Sequence, residues 1–275
     1  MSAYNYYNMT SYRYPSETAI FGITILVLLV ILVISAGLTV CLVPLAVLVI
    51  IGLSYYLNKS HHQALLQSGM VVSPQRSPEL AALAQQCINR LQTPGQVQFI
   101  VLPQPQLNAF TFGFSNPKAV VLFDALFKVM DKDELRFIIG HELGHVALGH
   151  AWLNTLLGGM AGVPISLGAA VVLTLAFRWW NRACEYSADR AGLLACGSPH
   201  KAISALVKLE AGMVRSQEQM ERALQAIDAE DDSLLNVLGE TLASHPLTIR
   251  RINEIKKYTR SLEYQHLLAE VNRRG

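Results

Sequence analysis

Two histidines four residues apart, His141 and His145, flank a glutamate in the run HELGH. On an α-helix, residues at that spacing differ by only about 40° in azimuth, so both imidazoles project to the same side and can grip one ion. Glu142 lies next to the first of them, where its carboxylate can take a proton from water held by that ion. Imidazole ligands with an open coordination position suit zinc, which lowers the pKa of its water to about 7. The chemistry available to this pattern is hydrolysis. The flanks FIIG and VALG are apolar, so the helix is expected to be buried, and two buried histidines are costly without a partner.

Three further features bear on the ligand set. His150 lies nine residues after His141, about 180° around a continuing helix, and is expected to face away from the metal. The segment NRACEYSADRAG carries Glu185 and Asp189 one turn apart on one helical face. Glu185 can ligate a metal, and Asp189 can accept the N–H of a ligand imidazole and set its tautomer. The same pattern also suits an ordinary amphipathic helix, with the two acids paired to Arg182 and Arg190. Read alone, the segment favours the amphipathic helix.

These residues need positioning. Asp131 followed three residues later by Glu134 has the form of a capping box that starts the HELGH helix. Ser77-Pro78 opens a helical pattern over residues 79–92. VQFIVLP (97–103) and KAVVLF (118–123) read as short strands, and NAFTFGF (108–114) as an edge or hairpin strand between them. From Asp131 onward the pattern is almost wholly helical, with residues 215–232 an exposed helix or loop. The expected fold class is mostly α with a small β-sheet (α+β).

From Ala19 to Asn58 no charged residue occurs. That run is about twice the length of one spanning helix of roughly 20 residues. It predicts a transmembrane helical hairpin over 20–58 that turns at Ser35-Ala36-Gly37, and it is too long for a cleaved signal peptide. The tail 1–19 is tyrosine-rich (Tyr4, Tyr6, Tyr7, Tyr12, Tyr14) and reads either as an interfacial anchor of the first helix or as a disordered tail. Lys59 and Arg76 after the hairpin favour a cytoplasmic catalytic domain, 59–275, in a multi-pass membrane protein. Within that domain residues 151–177 also lack charge. If Glu185 is a metal ligand, as the family resemblance given below implies, a single crossing there would put it on the opposite side of the bilayer from the histidines. A second helical hairpin, broken at Gly158-Gly159 and Gly162-Val163-Pro164 and dipping into or resting on the membrane, is therefore expected, with Arg178, Trp179 and Trp180 at the interface.

Composition narrows the function classes. The 275 residues are 52% apolar and 15% charged, with a mean hydropathy of +0.31, which excludes a disordered chain. A net charge of +2 leaves no basic excess for neutralising phosphates, so a nucleic-acid partner is excluded. The four cysteines (Cys41, Cys87, Cys184, Cys196) form no CxxC pair and read as reduced thiols. A channel or transporter would need polar groups within its spans, and the 20–57 run has almost none.

Taken together, HELGH, EYSADRAG and SHPLTIRRI resemble the HtpX-like and CAAX-prenyl-endopeptidase-like zinc metallopeptidases, family 48 of the gluzincin group. The resemblance covers about residues 75–260 and the N-terminal hairpin. It implies a zincin-like catalytic domain with one Zn2+ per chain, held by His141, His145 and Glu185. It implies Glu142 as catalytic base, His245 as a contact to the oxyanion of the tetrahedral intermediate, and Asp189 behind the ligands. Arg251 would hold its helix or pair with a nearby carboxylate. Asn108, Ala109 and Phe110 match the family's edge strand, which would bind an extended protein or peptide substrate by strand addition. The implied function is a membrane-anchored endopeptidase acting on membrane or misfolded proteins. The alternatives are a processing peptidase for prenylated or lipid-anchored tails, and a catalytically silent scaffold of the same fold.

Overall fold

The structure, a computed structural model, describes residues 11–38, a few positions between 45 and 56, and residues 69–112, 117–150, 168–211 and 246–274. The expectations for Tyr4, Tyr6 and Tyr7, the second arm of the 20–58 hairpin, residues 151–167, residues 215–232 and His245 lie outside those residues.

Its first element is α1 (Glu17–Leu38). At 1.5 Å per residue its 22 residues reach about 33 Å, the thickness of a bilayer core. The segment Glu17–Gly37 is apolar and long enough to cross a membrane. Ile23, Leu26, Leu29, Val30, Val33 and Ile34 on it are exposed. The turn expected at Ser35-Ala36-Gly37 is not formed. The helix continues through it to Leu38, and the Ser35 hydroxyl donates to the carbonyl of Leu32 at 2.9 Å. A serine that bonds back onto its own helix does not break it.

A mixed four-stranded sheet follows, built from β1 (Met70–Val71), β2 (Val97–Leu102), β3 (Ala109–Phe112) and β4 (Lys118–Phe123) in the order β1-β2-β4-β3. β2 and β4 run parallel, with Val97 opposite Lys118 and Leu102 opposite Phe123. β3 lies antiparallel on the outer side of β4, with Ala109 opposite Leu122 and Phe112 opposite Ala119. The unbroken apolar run AVVL in β4 marks a strand covered on both faces. Val120 and Leu122 join the main core with Phe99, while Ala119 and Val121 pack with Ile100 and Leu102 on the opposite face. β3 is only half-buried along its length and forms the sheet's edge.

The helices pack mainly on one face of this sheet. They are α2 (Pro78–Leu91), a single turn α3 (Leu126–Val129), α4 (Lys132–Ala147), α5 (Gly168–Cys196), α6 (Pro199–Ala211), α7 (Pro246–Thr259) and α8 (Leu262–Arg274). α4 is the central helix, buried on all sides from Phe137 to Val146. Its start is a capping box: the Asp131 carboxylate accepts from the N–H groups of Asp133 and Glu134, and the Glu134 carboxylate accepts from Asp131 N–H. Glu134 is also buried, and Ser204 and Lys208 of α6 donate to it at 2.6 and 2.7 Å.

Two N-terminal tyrosines differ from both readings of the tail. Tyr12 is buried in the main core, and Tyr14 packs on Tyr186 with ring centres 5.1 Å apart. The chain ahead of α1 thus lies on the main core and on α5. Ile20 and Phe21 of α1 pack on Trp180, which is buried there and is not free for the lipid interface, whereas Trp179 is exposed. Cys87, Cys184 and Cys196 are free thiols.

The cap gives a stability prediction. Partial burial works against the Asp131 charge, but the Lys201 ammonium at 2.6 Å and the two helix N–H groups outweigh it and hold the carboxyl below its usual range. A carboxylate with a depressed folded-state pKa stabilises the protein above its unfolded pKa of about 4, and the gain is lost as pH falls through the folded value. Asp131→Ala is expected to cost about 1 kcal/mol at neutral pH. The gap between variant and wild type should close in acid, as read by denaturant unfolding at stepped pH.

Candidate metal centre and catalytic cleft

α4 and α5 approach each other through small residues. A Cβ added to Gly144 would lie 2.8 Å from Ala191 Cβ and 3.1 Å from Ala188 Cα, and one added to Gly192 would lie 2.7 Å from the carbonyl oxygen of Phe137. Only glycine permits that approach. The crossing brings the EYSAD turn of α5 against the HELGH turn of α4, although 40 residues separate His145 from Glu185.

At the crossing, His141 Nε2 and His145 Nε2 face each other at 3.2 Å. The Glu185 carboxylate lies 3.5 Å from each of these nitrogens. Tetrahedral bonds of 2.0–2.1 Å require donor separations of about 3.3 Å, so the three groups suit one zinc-sized ion. The donor chemistry agrees. Asp189 Oδ1 lies 3.0 Å from His141 Nδ1, so in the neutral ring Nδ1 carries the hydrogen and the Nε2 lone pair faces the Glu185 carboxylate. Buried, convergent lone pairs repel unless a cation joins them.

Charge is balanced behind this cluster. Arg251 of α7 forms a two-pronged contact with Asp189, Nε to Oδ2 at 2.8 Å and Nη2 to Oδ1 at 2.6 Å, and its Nη1 lies 3.3 Å from Glu185. Burial opposes both carboxylate charges, but the Arg251 guanidinium outweighs it: Asp189 is held below, and Glu185 well below, the usual carboxylate range. For His141, burial disfavours the charged ring, yet the hydrogen bonds to Asp189 and Glu185 carry its pKa up to about 9, so a ring proton is what a bound metal ion would displace. Arg190 does not pair with either acid. It lies 4.1 Å above the Tyr258 ring, with Glu263 at 3.7 Å.

Beside the cluster is a cleft of about 320 Å³, lined by Asn108, Ala109, Phe110, Thr111, His141, Glu142, His145, Glu185 and Arg251. Glu142 is buried, and the Thr111 hydroxyl of β3 lies 2.7 Å from its Oε2. The cleft therefore has a row of metal-type donors on one wall and the sheet's edge strand on the other. A larger hollow of about 570 Å³, lined by Pro78, Leu83, Phe127 and Leu135 among others, contains none of these donors.

Four contacts were not among the sequence-derived site residues: Thr111, His150, Arg13 and Glu17. α4 ends at Ala147, and Gly149, at φ +78°, turns the chain back. The helix therefore does not continue as assumed for His150, whose Nδ1 comes 3.0 Å from Nδ1 of His145, outside the three-donor cluster. Burial pushes the His150 pKa down and favours a neutral ring. Glu17 reaches His150 Nε2 at 3.1 Å and also contacts Arg13 and Ser187. The available signal for Glu17 was that it is the last charge before a long apolar run.

Residues 74–259 match the sequence model of Peptidase family M48. The chain belongs to that family. An M48 peptidase is a metallopeptidase, and His141, His145 and Glu185 at the α4–α5 crossing form a group that could hold a metal ion. Among relatives, the chain is 33% identical over 191 residues to the plastoglobule-localized metallopeptidase 48 of Arabidopsis thaliana, covering 64% of this chain and 55% of that one. The alignment thus spans little more than half of the plant protein. A protease HtpX homolog of Moorella thermoacetica is 26% identical over 269 residues, covering 83% of this chain and 88% of its own. One from Gemmatimonas aurantiaca is 25% identical over 242 residues, covering 76% and 86%.

The helix crossing is testable in this M48 chain. In Gly192→Ala the added methyl meets the Phe137 backbone, which cannot swing aside, and a loss of roughly 1–3 kcal/mol is expected. Gly22→Ala, with nothing within 4 Å of the added atom, should unfold like wild type. Equal midpoints for the two variants in thermal unfolding would contradict the account of the crossing.

Proposed function

We propose that this chain is a membrane-anchored zinc endopeptidase that hydrolyses peptide bonds in membrane or misfolded proteins with an activated water. The observation that carries the reading is the convergence of His141, His145 and Glu185 within reach of Glu142, in a cleft walled by an edge strand. His141, His145 and Glu185 are the ligands in this reading. When bound, the ion supplies Lewis-acid polarisation of the scissile carbonyl and acidifies the attacking water.

The remaining work falls to side chains and backbone. Glu142 takes the proton of the attacking water and delivers it to the leaving amine. Thr111 holds the Glu142 carboxylate in register with β3. Asp189 and Arg251 lock the ligand geometry from behind. His245, just before α7, contacts the developing oxyanion. Backbone groups of Asn108, Ala109 and Phe110 pair with an extended peptide, which makes recognition tolerant of sequence because main-chain hydrogen bonds are common to all peptides.

The exposed apolar length of α1 supports insertion in a bilayer, with a second spanning arm before residue 58 and a second apolar hairpin over 151–177, whose last residues belong to α5. Lys59 and Arg76 favour a cytoplasmic catalytic domain. An unfolded or membrane-extracted segment meets the requirement of an edge strand for extended chains.

Two substitutions test the reading on detergent-purified protein. Glu142→Gln should keep its zinc and lose cleavage of unfolded casein by roughly 10²–10⁴-fold. Glu185→Ala should lose both zinc and activity. Proteolysis retained by Glu142→Gln, or a full zinc complement in Glu185→Ala, would refute the assignment.

A further inference from the structure

We infer that Glu17, at the start of the apolar helix α1, sets through His150 the ring tautomer with which His145 faces the metal cluster. On this inference α1 is a working part of the metal centre as well as an anchor. The inference rests on the proposed reading of His141, His145 and Glu185 as metal ligands.

The contacts form a relay: His145 Nδ1 to His150 Nδ1 at 3.0 Å, then His150 Nε2 to Glu17 Oε1 at 3.1 Å. Glu17 and His150 are 1% and 2% exposed, so water does not supply or remove a hydrogen along the line. Arg13 and the Ser187 hydroxyl both donate to the Glu17 carboxylate, which leaves it an acceptor toward His150. The hydrogen between them therefore sits on His150 Nε2. A neutral imidazole carries one N–H, so His150 Nδ1 presents a lone pair. The hydrogen between the two Nδ1 atoms then belongs to His145. That leaves the His145 Nε2 lone pair directed at His141 and Glu185, the form a metal ligand requires. With the opposite tautomers, an imidazole lone pair would face the buried carboxylate and an N–H would occupy the ligand position.

The two histidines are thus backed in parallel ways from different parts of the chain. His141 leans on Asp189, which is held by Arg251. His145 leans, through His150, on Glu17, which is held by Arg13. The segment supplying the second support is clasped to the catalytic helices. Arg13 Nη2 donates to the Leu148 carbonyl at 3.2 Å, Tyr14 N–H to Ser187 Oγ at 2.8 Å, and Arg190 Nη1 to the Arg13 carbonyl at 3.4 Å.

Glu17, His150 and Cys184 also lie close enough to hold an ion of their own. The relay accounts for them better. Both His150 nitrogens are committed to neighbours, and the Arg13 guanidinium occupies the Glu17 carboxylate that a cation would need.

The test uses the full chain in detergent, with zinc affinity measured by chelator competition and the ligand field read from the Co2+ absorption spectrum. Glu17→Gln keeps the shape but can turn an amide N–H toward His150 and favour the wrong tautomer. His150→Phe keeps the ring against Trp180 and strands His145 Nδ1. Both should weaken zinc binding roughly ten- to hundredfold and shift the Co2+ spectrum, and Glu17→Asp should recover part of the loss. Ile20→Ala loosens the docking of the same helix without touching the relay, and should lower the unfolding temperature while leaving zinc affinity within about twofold. Wild-type affinity and spectrum in both Glu17→Gln and His150→Phe would overturn the inference. So would an equal loss of affinity in Ile20→Ala, or a second zinc equivalent that disappears in Cys184→Ala. A wild-type chain that binds no zinc, like Glu185→Ala, would remove the metal reading itself.

Discussion

The near-contact of α4 and α5 is the constraint on which the site depends. Zinc-type coordination tolerates errors of a few tenths of an ångström, while two helices with ordinary side chains between them sit 8–10 Å apart. Glycine and alanine at Gly140, Gly144, Ala188, Ala191, Gly192 and Ala195 remove those side chains from the seam. One small-residue face on each helix thereby converts two sequence-distant motifs into a single donor cluster. The apolar residues around the seam, Phe137, Leu143, Leu193 and Leu194 among them, are fully buried and hold the helices at that distance.

Such a seam concentrates polar groups where water does not reach, and each one is matched. Glu134 at the start of α4 meets Ser204 and Lys208, Asp189 meets Arg251 and His141, and Glu17 meets Arg13, Ser187 and His150. An isolated buried carboxylate would cost several kcal/mol. The pattern of a carboxylate held by a cation and facing an imidazole keeps the charges and fixes the outer ring nitrogen, so that Nε2 of both His141 and His145 points into the donor cluster. α4, which carries the HELGH run, shows no one-sided apolar stripe because it is enclosed by the sheet, α2, α5 and α6.

The sheet has a complementary task. Its central strand β4 is saturated on both sides, which confines strand addition to the edge, and β3 presents that edge to the cleft. Thr111 ties the edge to Glu142. A substrate strand laid along β3 would therefore be registered against the base and the ligand cluster by one rigid connection. The apolar α1 docks on the far side of the cluster, against Trp180, Ala183 and Cys184 of α5, which couples the proposed anchor to the helix that carries Glu185.

Local patterns were legible in the sequence because they depend on local physics. The HELGH spacing, the Asp131–Glu134 capping box, the helix start at Ser77-Pro78 and the strands over 97–102 and 118–123 follow from helical pitch, capping chemistry and apolar runs. The long apolar stretch also announced α1, although not its unbroken course through Ser35-Ala36-Gly37. What residue types alone left open was which long-range partners each side chain would meet. Glu185 and Asp189 had a better local explanation in pairing to Arg182 and Arg190, and only the packing of α7 brought Arg251 to them instead. His150 was assigned a direction on a helix that in fact ends before it, at the turn made by Gly149. Glu17 and Tyr12 read as parts of a tail because nothing in their neighbours along the chain reveals the buried surface they complete. Periodicity and spacing act over one or two helical turns, whereas the outer support of the donor cluster is assembled from contacts between residues 48 to 133 positions apart, and only the closed core determines which of them touch.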